Sequence, residues 1–168
     1  MTATEPRYAA AMTSSGVVIR GARRDDHASI IDVVDGWWGG RRMAVLIPSL
    51  FLEHFAGTSL VVEDSDGELA GFCIGFVSQD HPEEAYVHFL GVRPDLRGAG
   101  LGRDLHDRFA DLVRPRGVRR VRCVTSTQNR ASVAFHTAIG FVVEGEDAPV
   151  QVDGVDDVDG HVRMVREI

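Results

Sequence analysis

The stretch Phe89 to Arg103, FLGVRPDLRGAGLGR, holds the residues best placed for chemistry. An apolar run, Phe89-Leu90-Gly91-Val92, is cut off by Arg93-Pro94-Asp95. Arg97-Gly98-Ala99-Gly100-Leu101-Gly102-Arg103 follows, and Leu101, Leu105, Phe109 and Leu112 then recur at helical spacing. The pattern predicts strand, tight glycine loop and helix. Glycines let successive backbone N–H groups turn toward one point, and the helix adds its unpaired first-turn N–H groups and positive dipole end. Such a corner binds a phosphate or pyrophosphate. Two nucleotide loops of similar look do not match. A Walker loop needs Gly-Lys-Ser/Thr, and the chain has no Lys. The dinucleotide fingerprint needs a third glycine three residues after its second, where this chain has Arg103 or Leu105.

Arg97-x-x-Gly100-x-Gly102 resembles the acetyl-CoA pyrophosphate loop, Arg/Gln-x-x-Gly-x-Gly/Ala, of the Gcn5-related N-acetyltransferases, the GNAT superfamily. A second block about 30 residues on, Asn129-Arg130-Ala131-Ser132-Val133-Ala134-Phe135-His136-Thr137-Ala138-Ile139-Gly140-Phe141, is similar to the family's following helix and strand. The resemblance spans roughly residues 17–168, with motifs only over 85–141. It implies an α/β (α+β) GNAT fold: a mixed central sheet of about six to seven strands with a splayed pair of parallel strands, and about four flanking helices. It implies acetyl-CoA as the acyl donor and no metal.

The resemblance also implies roles. The acetyl-pantetheine arm would lie in the strand gap against Leu90, Gly91 and Val92, with a backbone N–H at Leu90 or Val92 as oxyanion donor. Arg97, Gly98, Ala99, Gly100, Leu101, Gly102 and Arg103 would hold the pyrophosphate, and Asn129, Ser132 and His136 would contact the rest of CoA. Many members carry Tyr after the Phe of the fourth helix as acid for the leaving thiolate. Here His136 stands there, and an imidazolium can donate a proton; the alternative is a histidine satisfied by backbone, with solvent as the acid. His88 is the candidate base, with Glu84, Tyr86 or a water chain as alternates. Trp37, Trp38 and Arg41 lie where the family builds its acceptor pocket; the alternative is a helix end packing two aromatics. His54 reads as a helix-surface residue.

Composition narrows the classes. At 168 residues, the chain is expected to form a single domain over 16–168 after a disordered tail over 1–15. Twenty-five acids against 18 bases give a net charge of −7, which argues against a non-specific nucleic-acid binder. No secretion signal and no run of 18 apolar residues is visible, so no membrane partner is expected. Cys73 and Cys123 sit in apolar runs and read as buried thiols, pointing to the cytoplasm. The family often dimerises through late strands, so a homodimer is open.

The positioning elements follow in order. Val17 to Arg20 reads as a strand, and Asp25 or Asp26 can cap a helix carrying Ile30, Ile31, Val33 and Val34. Pro48 to Phe55 predicts a short helix. Thr58–Glu63 and Leu69–Ser78 predict a hairpin, with Gly71 and Gly75 as bulges or close approaches. Ala85–Val92 leads into the glycine loop. Val118–Thr125 alternates Arg with apolar residues, and Asn129 caps a helix to Ala138. Two last strands begin near Phe141 and His161. Between them seven acids over 144–159 read as a solvated loop, or as an acidic rim attracting a cationic amine. The leading expectation is acetyl transfer to a small primary amine. A peptide or protein amine, or a non-catalytic acyl-CoA-binding module, stay open.

Overall fold

The computed structural model describes residues 10–12, 16–147, 150–152, 155–158 and 160–168. Its packing resolves into two units, residues 1–76 with 87–115 and residues 77–86 with 116–168. The expected tail falls outside the described residues over 1–9 and 13–15; Ala11–Met12 form a two-residue strand, β1.

In the first unit the strands run β1, β2 (Val18–Gly21), β3 (Leu60–Glu63), β4 (Leu69–Val77) and the later part of β5 (Glu84–Val92). The β1/β2, β2/β3 and β3/β4 pairs are antiparallel. The β3/β4 register jumps from Val62↔Gly71 to Glu63↔Leu69, which leaves Ala70 bulged. Gly71 is the close approach its sequence suggests: a Cβ there would lie 3.0 Å from the Gly91 carbonyl oxygen.

Helix α1 (Asp26–Trp37) buries Ile30, Val34 and Trp37, spaced four and three apart on one face, against Phe72, Ile74 and Val61. Full burial of such side chains stabilises by about 1.5–3 kcal/mol each. Asp25 occupies the cap position without a side-chain bond. Asp26 instead accepts the Arg23 N–H at 2.6 Å and pairs with Arg20, which also reaches Glu63. Helix α2 (Leu50–His54) follows a 3₁₀ turn at Ala44–Leu46. Helix α3 (Leu101–Val113) buries Leu101, Leu105, Phe109 and Val113, each four residues from the last.

The second unit holds the start of β5, then β6 (Arg120–Ser126), α4 (Arg130–Ala138), β7 (Val142–Asp147), a hairpin of β8 (Val150–Val152) with β9 (Val155–Val158), and β10 (His161–Glu167). β10 lies between β6 and β7, antiparallel to both. Val121 and Cys123 alternate inward with Arg120 and Arg122 outward, as the Arg/apolar pattern requires. The acidic stretch departs from the expected loop. Glu144, Glu146 and Asp147 belong to β7 and Asp156 and Asp157 to β9, while Asp153 and Asp159 lie outside the described residues. Valines at 142, 143, 150, 152, 155 and 158 carry the strand tendency that the charge count hides. Among the described residues no helix is long and apolar enough to cross a membrane.

Candidate active site

In the first unit, β5 ends in a glycine loop that opens α3. The Arg93 N–H donates to Ala70 O at 3.0 Å, so odd-numbered N–H groups at this end of β5 face β4. Alternation then turns the N–H groups of Leu90 and Val92 to the opposite edge. Gly98 (φ +81°) and Gly100 (φ +88°) are left-handed, with open space where a Cβ would stand. Gly100 is the cap residue of α3, and no side-chain oxygen caps that helix. The first intrahelical bond there runs from Asp104 N–H to Gly100 O at 3.0 Å, so the N–H groups of Leu101 and Gly102 precede the ladder, beside exposed Arg103. Glycine turn, uncapped helix start and surrounding open space, lined also by exposed Ala99, fit a pyrophosphate. Asp104 in the first turn is the one opposing charge there.

The Arg97 side chain turns inward. Its Nε donates to Val92 O at 3.0 Å and its terminal nitrogen to Trp37 O at 2.7 Å, while its guanidinium lies 5.5 Å over the Trp38 ring. It therefore supplies the cation that the last turn of α1 lacks. Its Nε and one terminal nitrogen are thereby committed to carbonyls rather than to a phosphate.

The two indoles separate. Trp37 is 9% exposed and stacks on Phe72 at 6.0 Å, so its ring belongs to the core. Trp38 meets Phe89 edge-on at 5.2 Å and abuts Gly91. Arg41 is exposed in the loop beyond them. His88 stacks on Phe51, centroids 4.2 Å apart and 7° from parallel. Its Nε2 lies 2.7 Å from Leu46 O. A carbonyl only accepts, so Nε2 carries the proton and the neutral ring keeps its lone pair on Nδ1. His88 is thereby set to accept a proton at Nδ1.

In the second unit, Glu84 is 8% exposed and gripped by Arg122, with Nε to Oε2 at 2.6 Å and a second contact at 3.0 Å; Arg120 lies 3.1 Å away. Arg122 also bonds Glu144. The Arg122 hydrogen bonds hold the Glu84 carboxyl below its ordinary value, which makes it a weak base. Burial pushes the Tyr86 phenol up, so it stays protonated near neutrality. Asn129 caps α4, its side-chain oxygen accepting the Ser132 N–H at 3.1 Å. His136 Nδ1 donates to Ser132 O at 2.8 Å, with the Ser132 hydroxyl at 3.3 Å, and its ring sits edge-on to Phe135 and Phe141. Burial lowers the His136 pKa, and the bond to Ser132 offsets only part of that.

The model of the acetyltransferase (GNAT) family matches residues 27–141. This chain belongs to that family. Among its relatives are the L-2,4-diaminobutyric acid acetyltransferases of Nocardia farcinica and Streptomyces coelicolor. The first is 36% identical over 54% of this chain and 46% of the relative; the second is 38% identical, covering 53% of each. The chain spans about half the length of these relatives. The structure of yncA from Salmonella typhimurium, solved with its cofactor acetyl-CoA, superposes with a TM-score of 0.68 at 22% identity, over 90% of this chain and 93% of that one. The α/β GNAT fold expected from the motifs is the fold observed.

Within the GNAT frame the first unit gathers the glycine loop, the outward N–H groups of β5, His88 and Trp38. The second holds Glu84, Tyr86, Asn129, Ser132 and His136. Sequence reasoning did not find Asp35, whose carboxylate shapes the loop after α1, nor the Leu46 carbonyl that orients His88, nor Arg122, which claims Glu84. Each acts across a gap in sequence, of 8 residues for Asp35 and Met43, 42 for Leu46 and His88, and 38 for Glu84 and Arg122, and no local pattern marks such pairs.

Proposed function

We propose that the chain is an acetyl-CoA-dependent N-acetyltransferase acting on the primary amine of a small molecule. The observation that carries this reading is His88. A histidine fixed by a backbone carbonyl with Nδ1 left as its basic nitrogen stands on the strand that leads into an anion-binding glycine loop. Acetyl-CoA, when bound, supplies an activated thioester. The N–H groups from Gly98 to Gly102 would hold its pyrophosphate, with the charge of Arg103 and the α3 dipole adding to the attraction. The Leu90 or Val92 N–H, on the edge of β5 away from β4, would donate to the carbonyl oxygen as it gains charge. His88 Nδ1 would take the proton from the amine. Glu84 is a poor alternate, since Arg122 stabilises its ionised form. His136, with its pKa lowered and Nδ1 committed to Ser132, would be mostly neutral near pH 7, so solvent would protonate the leaving thiolate there. Relatives named for a small diamino acid support a small acceptor, for which Trp38 and Arg41 are the candidate contacts.

The test is thiol release from acetyl-CoA across small primary amines, L-2,4-diaminobutyrate among them, and peptides. One or more small amines should turn over. His88→Ala should lower kcat/KM near neutral pH by about 10²–10⁴-fold, with the loss shrinking as pH rises and the amine deprotonates unaided. Tight acetyl-CoA binding with no acceptor, and a His88→Ala variant equal to wild type, would instead identify a non-catalytic binding module.

A further inference from the structure

The loop between α1 and α2 is held by three side chains from outside it. At its start, Asp35 Oδ1 accepts the N–H groups of Met43 and Ala44, each at 2.7 Å. These groups open the 3₁₀ turn Ala44–Leu46, whose positional cap, Met43, has no side-chain oxygen. Asp35 thus caps a turn from eight residues upstream, across the reversal at Gly39 (φ +68°) and Gly40 (φ +85°). At the end of the turn, Leu46 O takes the His88 Nε2–H at 2.7 Å and Ile47 O takes the His27 Nε2–H at 2.8 Å. A carboxylate in the last turn of α1 opposes the helix dipole. The stability of α1 therefore does not explain Asp35, whereas two charge-assisted bonds to the turn do.

We propose that Asp35 is a positioning residue for His88. By capping the turn it fixes the Leu46 carbonyl, which in turn fixes the His88 ring as the Nε2–H tautomer and directs the basic Nδ1. Asp35 does not touch His88, and the link runs through two residues of backbone. The inference rests on the proposed role of His88 as base.

The experiment combines kinetics with ¹⁵N NMR of the His88 ring in the full chain. Wild type should show a protonated Nε2 and an unprotonated Nδ1. Asp35→Ala, which deletes the shared acceptor, should give a mixed tautomer signal. Its kcat should fall by about 10- to 100-fold, as misplacement of a catalytic group does, with the KM for acetyl-CoA little changed. Asp35→Asn keeps Oδ1 and should recover most of both. In a His88→Ala background Asp35→Ala should add no further loss, because both act through one group. Full additivity of the two losses, or an unchanged tautomer in Asp35→Ala, would overturn the proposal. If His88→Ala alone matches wild type, the base reading fails, and the Asp35 assignment fails with it as a catalytic matter; the tautomer spectrum still tells the two failures apart. Should Asp35→Ala not fold, Asp35→Glu, which moves the carboxylate away from both amides, carries the same test: it should loosen the tautomer, and an unchanged tautomer overturns the proposal.

Discussion

Gly91 shows how a single hydrogen in place of a methyl group can set the path of a strand. A Cβ there would stand 2.7 and 2.8 Å from Phe72 ring atoms and 3.1 Å from Trp38. Those atoms belong to packed aromatics, not to a flexible side-chain end. Gly91→Ala should destabilise the fold by about 1–3 kcal/mol through overpacking, and an unchanged melting temperature would refute the assignment. At His136 the physical cause is burial. Its pKa lies below the ordinary 6.5 in the folded state, so the unfolded chain binds more protons as pH drops. The stability tied to this ring is complete above about pH 6.5 and is lost as pH falls toward the folded value. An NMR titration of His136 should show a midpoint under 6.5. His136→Gln should flatten the loss of stability that sets in as pH falls below about 6.5, where Glu84 is still ionised in both states. Glu84 acts at lower pH: its depressed pKa stabilises above the ordinary carboxylate range and the contribution disappears on further acidification.

At the scale of elements, the loop from Arg97 to Arg103 is two devices in one. Gly98 and Gly100 hold left-handed backbone that a side chain would strain by about 1–2 kcal/mol each, and the α3 start presents its N–H groups. Arg97 braces the loop from behind, tying β5 at Val92 O to the end of α1 at Trp37 O. Gly100→Ala should raise the KM for acetyl-CoA by about tenfold with little change in the KM for the amine. Equal changes in both would mean that the loop does not serve the anion alone. Arg97→Lys should lose stability despite keeping the charge, because one ammonium cannot reproduce a planar fork to two carbonyls under an indole.

For the whole molecule, the two cysteines report on the two units separately. Cys73 in the first is fully buried and Cys123 in the second is 3% exposed; neither is in a disulfide. Burial raises both thiols, that of Cys123 to about 12, so the reactive thiolate is scarce in the folded state. Labelling by a thiol reagent should be slow in the native protein and should rise with denaturant. Resolving the two sites by mass would show whether the units open together or one before the other. Fast labelling of either cysteine in buffer would contradict its burial.

Sequence patterns alone carried the family, most of the order of elements and the glycine turn that opens α3. Those rest on local rules: apolar spacing in α3, the Asn129 cap, and glycines where φ must be positive. The sequence also offered His88 and Trp38 as candidates, the first from its place on the strand before the glycine loop and the second from the position of the family's acceptor pocket. It did not determine what each side chain does there. Arg97 turned to carbonyls, Trp37 to the core, Glu84 to Arg122, and His136 Nδ1 to Ser132 O. The acidic stretch became strands where charge predicted a loop, because the valines among the acids favour strand pairing. Asp35 gave no signal at all. A polar side chain's role depends on which donor or acceptor lies within about 3 Å, and for Glu84, Arg97 and His88 that partner comes from a distant part of the chain. Only the tertiary structure decides that distance.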